Sequence, residues 1–196
     1  THGGVTEYNA HPHQSCDKNI TIVHNGIIEN YEEIKRELIE KKHKFISETD
    51  SEVIAHYFEE KLKNMNMKAA CTDFISEIKG TFAILIAKQD EETIYALKRD
   101  SPLVLGSCKD ANILASDIYA FSDKTNRAIF FENNEFAIVG KKNYDFFDKN
   151  GKKIKKEIKI FSLQKEDFEK ENYKHYMIKE IMEEPKAVNR LLFSLE

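Results

Sequence analysis

The sequence predicts an α+β fold in which helices are grouped instead of alternating with the strands. Helical spacing of apolar residues dominates residues 27–78, and short β-rich segments dominate residues 80–160. These segments follow one another too closely for helical crossovers, so antiparallel hairpins explain them best. With 196 residues, of which 41% are hydrophobic, the chain has enough apolar material for one globular domain with a tail.

Composition excludes several classes of protein. Lys and Arg number 30 against 34 Asp and Glu, and the net charge of −4 argues against nucleic-acid binding. Apolar runs such as residues 82–87 are far shorter than the roughly 20 residues of a membrane helix. Cys16, Cys71 and Cys108 have unrelated spacings that fit neither a disulfide framework nor a CxxC motif. We therefore expect a soluble, cytosolic protein without a membrane partner.

The first predicted element is a strand over residues 19–26, NITIVHNG, which alternates and is rich in β-branched residues. The Asn25–Gly26 pair predicts that this strand is closed by a tight turn. A first amphipathic helix follows, because apolar residues then recur at helical spacing at Ile27, Tyr31, Ile34 and Leu38.

Two further helices are predicted before the β-rich half. Thr49 followed by Glu52 has the spacing of a capping box, which would begin a second helix that continues to about Leu62. A third, shorter helix is expected over residues 68–78, ending before Gly80.

The β-rich half predicts successive hairpins. Residues 141–159 form a basic hairpin pattern that closes on Asn150–Gly151, and residues 117–124 could form a short helix between strands. A last helix is expected near Tyr173, interrupted by Pro185. The other strand patterns are TFAILIAK, ETIYALKR, LVLG, NILAS, AIFF and EFAIV.

Histidines crowd the start of the chain and suggest a metal site at first sight. The HPH tripeptide, however, would direct its two imidazoles to opposite sides of an extended chain, and no HExxH or paired CxxC motif fixes a coordination geometry. We therefore expect hydrogen-bonded loop histidines, with no metal and no cofactor. The residues concerned are His2, His11, His13 and His24, with Cys16 and Asp17 nearby.

Two short motifs each have a structural and a functional interpretation. Asn25–Gly26 is typical of a hairpin turn, but an Asn amide and a Gly N–H can also converge on a developing oxyanion. Asp50, in the SETDSE segment, is placed to cap a helix, but it could instead hold the ammonium group of an amino-acid substrate.

No nucleophile is convincing from spacing alone. An N-terminal threonine can attack with its own amine as base, but THGG has the character of an internal motif, so we do not assign Thr1 this role. Cys16 lies in a polar loop, and Cys71 falls on the apolar side of a predicted helix, where an inert thiol is expected. Both ends of the sequence also suggest a fragment of a longer chain.

The succession THGG, NAHPH, IVHNGIIENY and SETDSEVIAH closely resembles the glutaminase domain of the isomerising glutamine:fructose-6-phosphate amidotransferase family, also called glucosamine-6-phosphate synthases. GTFAILIA, SPLVLG, ILASD and HYMIKEIMEEP are similar to the same domain continuing into its linker. The likeness covers nearly the whole chain, in order.

This resemblance implies an N-terminal-nucleophile hydrolase fold, a four-layer αββα sandwich of two antiparallel sheets, here without its N-terminal portion. The family's nucleophilic cysteine, with its free amine as base, and a carboxylate-binding arginine would both precede Thr1. Asn25 and Gly26 match the family's oxyanion hole. Thr1 and His2 match the segment that binds the glutamine carboxylate, and Asp50 matches the acid that binds the α-amine.

The resemblance also implies the reaction and the partners. Residues 1–165 would be a glutaminase domain that hydrolyses L-glutamine, and residues 166–196 a linker helix toward a sugar-phosphate isomerase domain that makes glucosamine 6-phosphate. A homodimer of the full-length protein is expected, and residues 1–196 alone would be inactive without the upstream cysteine. The alternative is a non-catalytic glutamine-binding or structural module with a degenerate amidotransferase fold.

Overall fold

The computed structural model describes residues 3–162 and 173–194 and divides into two compact units, Thr1–Phe161 and Ser162–Glu196. Among the described residues, no helix has the length and apolar character needed to cross a membrane. The helices are α1 (Tyr31–Glu40), α2 (Glu52–Lys61), α3 (Met67–Glu77) and, in the second unit, α4 (Tyr176–Ser194). The strands are β1 (His13–Gln14), β2 (Ile20–Ile28), β3 (Gly80–Lys88), β4 (Ile94–Arg99), β5 (Val104–Ser107), β6 (Asn112–Ala115), β7 (Arg127–Phe130), β8 (Glu135–Val139), β9 (Tyr144–Phe147), β10 (Lys153–Ile154) and β11 (Lys159–Ile160).

The strands form two sheets in which the neighbours pair antiparallel. The larger sheet has seven strands in the order β1-β2-β3-β4-β8-β9-β10, and the smaller has four in the order β11-β7-β5-β6. Hairpins β3–β4, β5–β6, β8–β9 and β9–β10 join strands that follow one another in the chain, as the short spacing predicts.

Three layers of apolar contact hold the first unit together. Helices α2 and α3 pack on one face of the larger sheet, where Phe58 stacks on Phe74 with ring centroids 5.3 Å apart. The opposite face of that sheet packs on the smaller sheet through residues such as Leu105 and Ile129. This arrangement of helices on a two-sheet sandwich confirms the predicted α+β class.

A 3-10 helix, Ile118–Phe121, covers the outer face of the smaller sheet. The ring of Phe121 lies over Gly106, where a Cβ would come within 2.6 Å of the ring. A glycine is therefore required at position 106 for this packing. The short helix expected over residues 117–124 is present in this tighter form, and Asp117 caps it by accepting a hydrogen bond from the Tyr119 N–H.

Three local expectations are wrong. Asn25–Gly26 is not a turn, because β2 continues to Ile28 and pairs throughout with β3. Helix α1 consequently begins at Tyr31, and Ile27 belongs to the strand. Pro185 does not interrupt the last helix but lies inside α4.

The capping box predicted at Thr49 and Glu52 is also wrong. Thr49 makes a hydrogen bond to His13, and the Glu52 carboxylate accepts hydrogen bonds from Ser47 and from the backbone of Ile46. Glu52 therefore holds the loop in front of α2 at positions two and three residues before the Thr49 N–H that a capping box would use.

Candidate functional site

Asn25 and Gly26 lie next to each other on β2, opposite Ala83 and Phe82 of β3. The Asn25 side chain is exposed and stands on the face of the larger sheet that is turned toward the smaller sheet, since its cross-strand partner Ala83 packs in that layer. Val23, on the same face of β2, is 40% exposed, so this part of the sandwich is open. The Asn25 amide is therefore accessible to a ligand.

The Gly26 backbone has a conformation that only glycine tolerates well. Its φ is +141°, and a Cβ at this position would lie 2.1 Å from the carbonyl oxygen of Thr81 on β3. Glycine is thus required at position 26 because the backbones of β2 and β3 approach closely there, and no turn is involved.

The direction of the Gly26 N–H follows from the antiparallel ladder. Glu29 N–H donates to Lys79 across the β2–β3 pair, so odd residues of β2 face β3. The N–H groups of the even residues His24 and Ile28 point to the other edge, where they donate to His11 and Asp50. The N–H of Gly26 lies between them on that same edge.

Asp50 is buried in the loop before α2, where its Oδ2 accepts a 2.7 Å hydrogen bond from the Ile28 N–H. This bond fixes the carboxylate at the β2 edge. Two residues of extended strand separate Ile28 from Gly26, a distance of about 7 Å. The structure therefore brings Gly26 and Asp50 to one strand edge, as two separated polar groups.

His24 is a buried neutral histidine beside this edge. Burial lowers its pKa to about 4, although the negative charge of Asp50 acts in the opposite direction. Its Nδ1 lies 2.9 Å from Ser51 Oγ, and its Nε2 makes no hydrogen bond of good geometry among the described residues. His24 therefore links β2 to the start of α2 without adding charge near Asp50.

The NAHPH motif lines the same edge of β2. His11 Nε2 accepts the His24 N–H at 3.2 Å, and His13 Nε2 lies 3.2 Å from Thr49 Oγ1. The rings of His11 and His13 meet edge to face with centroids 5.1 Å apart, so the expectation that they diverge is wrong. Burial lowers the pKa of both imidazoles. These histidines serve as hydrogen-bonded supports for β2 and the Asp50 loop.

Thr1 and His2 lie outside the described residues. The glycines that follow them are tied to the Asp50 loop, because Gly4 N–H donates to Glu48, and Asn9 bridges the Gly4 carbonyl and the Glu48 N–H. The start of the described chain is thus close to the loop that carries Asp50.

The cysteines differ sharply in environment. Cys71 is buried in α3, and burial raises the pKa of its thiol, so it is inert as expected. Cys108 is half-buried near the end of β5, and Cys16 is exposed beside His43 and His56. None of the three cysteines lies on β2, the strand that contains Asn25 and Gly26.

Sequence reasoning named His11 and His24 as hydrogen-bonded histidines but missed their positions around β2 and the contact with Ser51. Ser51, His11 and His24 are brought together by the pairing of β2 with β1 and by the packing of α2, which involve residues distant in sequence. The only sequence signal for them was their presence in the motifs NAHPH, IVHNG and SETDSE.

Comparison with known proteins defines the class. The glutamine amidotransferase domain matches residues 5–123, and the chain belongs to this family. The fold is shared with the solved structure of the glutamine phosphoribosylpyrophosphate amidotransferase of B. subtilis, at 24% identity and a TM-score of 0.62 over 74% of this chain and 33% of that chain. It is also shared with an allosteric regulatory enzyme of purine biosynthesis, at 23% identity and a TM-score of 0.64 over 75% of this chain and 32% of that chain. The predicted sandwich of N-terminal-nucleophile hydrolase type is confirmed.

Among curated proteins the chain is similar to glutamine–fructose-6-phosphate aminotransferases (isomerizing). Identity is 41% to that of Methanocaldococcus jannaschii over 96% of this chain and 18% of the relative. It is 41% to that of Sulfurisphaera tokodaii, over 100% of this chain and 34% of the relative. It is 42% to that of Thermococcus kodakarensis, over 96% of this chain and 32% of the relative. The chain thus spans about a third or less of the length of these relatives.

Proposed function

We propose that this chain is the glutaminase portion of an isomerising glutamine–fructose-6-phosphate aminotransferase. It would hydrolyse L-glutamine to glutamate and ammonia, and the ammonia would serve the synthesis of glucosamine 6-phosphate from fructose 6-phosphate. The similarity to glutamine–fructose-6-phosphate aminotransferases supports this class of reaction. The observation that carries the assignment to this site is the placement of Gly26 and Asp50 on one edge of β2.

This edge suits glutamine because glutamine is polar at both ends. Its α-ammonium would pair with the Asp50 carboxylate, and its side-chain amide would reach the Gly26 N–H and the Asn25 amide about 7 Å along the strand. The Ile28 N–H holds Asp50 in place before substrate arrives. Preorganisation of this kind lowers the entropic cost of binding.

The chemical step would be attack of a thiolate on the amide carbon, which places negative charge on the amide oxygen. Two donors fixed beforehand stabilise that charge more than they stabilise the planar substrate, and this difference accelerates the reaction. The C–N bond then breaks as the nitrogen takes up the proton that the thiol gave to its base, so that ammonia leaves and a thioester remains. Water hydrolyses the thioester to glutamate and regenerates the thiol. We assign the thiol to a cysteine of the whole protein that precedes Thr1 in the chain.

The other end of the substrate would bind at the start of the chain. Thr1 and His2 are proposed to contact the glutamine carboxylate. The hydrogen bonds of Gly4 to Glu48 support this role, because they hold the neighbouring backbone against the Asp50 loop. The three polar groups of glutamine would then each have a defined partner, which is the basis for rejecting analogues that lack one of them.

The remaining domain assignments are also proposals. Residues 1–165 would form the glutaminase domain and residues 166–196 the connector to an isomerase domain. The exposed apolar side chains of α4, Met177, Ile178, Ile181 and Met182, support this role because a connector needs a surface to pack on. Homodimerisation would run through the isomerase domain.

The decisive test of the oxyanion assignment is Asn25→Ala in the full-length translated protein. Because the side chain is exposed, stability should be nearly unchanged, whereas glutaminase kcat should fall about a hundred- to a thousand-fold. Asn64→Ala, at an exposed position in the turn after α2, is the matched control and should leave kcat unchanged. Wild-type turnover in Asn25→Ala would refute the assignment.

Asp50→Asn tests the ammonium site separately. An Asn side chain keeps an oxygen for the Ile28 N–H but loses the charge, so the fold should survive. A charge-assisted hydrogen bond contributes about 1.5–3 kcal/mol, which predicts a loss of about 10- to 100-fold in kcat/KM for glutamine. If the variant retains the preference of the wild type for glutamine over analogues without the α-amine, Asp50 does not bind that group. A full-length protein that binds glutamine but never turns it over would favour the non-catalytic module.

A further inference from the structure

A second cluster of reactive side chains lies away from the β2 edge. Cys16, from the loop between β1 and β2, meets His43 from the α1–α2 connection, and His56 and Glu59 project from successive turns of α2. One potential ligand atom from each residue lies within 4.8 Å of the other three. Both histidines are buried, whereas Cys16 is exposed, so the cluster is enclosed on one side and can be reached from the other.

Four of the six distances between these atoms lie within about 0.4 Å of those in a tetrahedron around a zinc ion. Cys16 Sγ lies 3.9 Å from His43 Nδ1 and 3.5 Å from His56 Nδ1. Glu59 Oε2 lies 3.0 Å from His43 Nδ1 and 3.4 Å from His56 Nδ1. For tetrahedral zinc, bond lengths of about 2.3 Å to sulfur and about 2.1 Å to nitrogen or oxygen place the sulfur about 3.6 Å from a nitrogen, and the oxygen about 3.4 Å from a nitrogen.

The outward-facing nitrogens of both histidines are held by further carboxylates. His43 Nε2 lies 3.1 Å from Glu60 Oε2, and His56 Nε2 lies 3.4 Å from Glu52 Oε1. Histidines that bind a metal usually donate their other N–H to a carboxylate in this way, which fixes the tautomer and the ring orientation. A neutral imidazole has a single N–H and cannot donate to carboxylates at both nitrogens. An ion at Nδ1 leaves the Nε2–H to donate outward.

Backbone groups orient the remaining two ligands. Lys44 N–H donates to Cys16 Sγ at 3.2 Å, which holds the sulfur at the cluster. The Cys16 and Asp17 N–H groups each donate to the Glu59 carboxylate at 3.1 Å, which holds it toward the cluster. All four ligands are therefore fixed by partners outside the tetrahedron.

We propose that Cys16, His43, His56 and Glu59 bind one zinc ion. Binding forms one bond to sulfur, two to nitrogen and one to oxygen, and it releases the thiol proton to solvent. Thiolate together with imidazole selects zinc over the hard cations magnesium and calcium. Since four protein ligands leave no open coordination position, the ion has a structural role. It connects the β1–β2 loop and the α1–α2 connection to α2.

The first test is metal content of the full-length protein, purified without chelator. Elemental analysis should find one zinc per chain. After the zinc is removed with a chelator, addition of Co²⁺ alone should produce the visible absorption of tetrahedral cobalt together with a thiolate-to-cobalt charge-transfer band. Absence of stoichiometric zinc, or another ion in its place, would overturn the zinc assignment, as would cobalt spectra without a thiolate band.

Variants distinguish zinc binding at this site from adventitious metal binding elsewhere in the protein. Cys16→Ser removes an exposed ligand and should abolish the charge-transfer band, whereas Cys108→Ser, outside the cluster, should leave zinc and the band unchanged. Glu60→Gln, which reaches the cluster through His43, should weaken zinc binding about 10- to 100-fold. The chelator and Co²⁺ measurements on the unmodified protein do not depend on whether the variants fold. A band retained in Cys16→Ser would refute the proposal.

Discussion

Replacing Gly26 with alanine tests whether the close approach of β2 to β3 is as tight as the structure indicates. The added Cβ would lie 2.1 Å from the Thr81 carbonyl oxygen and 2.9 Å from the Phe82 Cα, both backbone atoms of a central strand. The φ of +141° adds strain for any residue with a side chain, about 1–3 kcal/mol. Overpacking against an immobile neighbour adds about 1–3 kcal/mol. We therefore expect Gly26→Ala to destabilise the domain by about 2–6 kcal/mol, a large part of a typical domain's stability.

Hydrogen exchange of the β2 and β3 amides is the appropriate assay, because it reports local opening free energies in a multidomain protein where a single unfolding transition is not assured. The matched control is Gly4→Ala, since a Cβ at position 4 has no neighbour within 4 Å and should change stability by less than about 0.5 kcal/mol. Equal protection of the β2 amides in wild type and Gly26→Ala would show that the strands do not approach as described.

Three further predictions concern buried or half-buried groups. The folded-state pKa of His24 is about 4, below the ordinary 6.5, so the unfolded chain protonates first. Stability should therefore fall as pH drops from about 6.5 to about 4, and His24 should contribute about 3 kcal/mol of this loss. In unfolding measurements His24→Gln should remove that contribution and leave those of His11 and His13, whose pKa values burial also lowers. Phe58→Ala should cost about 3–5 kcal/mol in denaturant unfolding, because Phe58 is fully buried against α3, and a smaller loss would mean that the core closes over the cavity. Arg99→Lys should cost about 2 kcal/mol, since the guanidinium donates to the carbonyls of Ile75 and Ile78 at the end of α3, and unchanged α3 amide exchange would contradict this role.

The β-rich half was predictable because its pairing is local. Hairpins such as β3–β4 and β9–β10 join neighbouring segments, so alternation and turn residues in a short window are sufficient to identify them. The α3 boundaries were also nearly correct, and Asn66 caps this helix by accepting the Ala69 N–H. In these regions the local signal and the tertiary structure agree.

Asn25–Gly26 was misassigned because its partner is distant in the sequence. An Asn-Gly pair between apolar residues has the same local signal in a turn and in a strand that must approach another backbone closely. Only the β2–β3 register, in which Gly26 faces Phe82, distinguishes the two. The functional interpretation of this pair was reached from its chemistry, and it stays a prediction.

The SETDSE segment illustrates why spacing could not identify polar partners. Each polar side chain from Ser47 to Glu52 except Glu48 is buried, and several bond to residues of β1 and β2. A capping box involves only hydrogen bonds within the segment, so it cannot account for the bonds to β1 and β2. Burial of so many polar groups requires that they be hydrogen-bonded, and the strands supply the partners.

Helix α2 shows the same effect on a larger scale. Residues 52–58 are all buried, although an amphipathic pattern predicts that the polar side of a helix faces solvent. One side, with Ile54 and Phe58, packs in the apolar core. The other side, with Glu52, His56 and Glu59, faces Cys16, His43 and the loop that precedes Asp50. A carboxylate and an imidazole buried at this depth are costly without partners. Ser47 and the Ile46 N–H supply hydrogen bonds to Glu52, and the proposed zinc would add a partner for His56 next to the loop that positions Asp50.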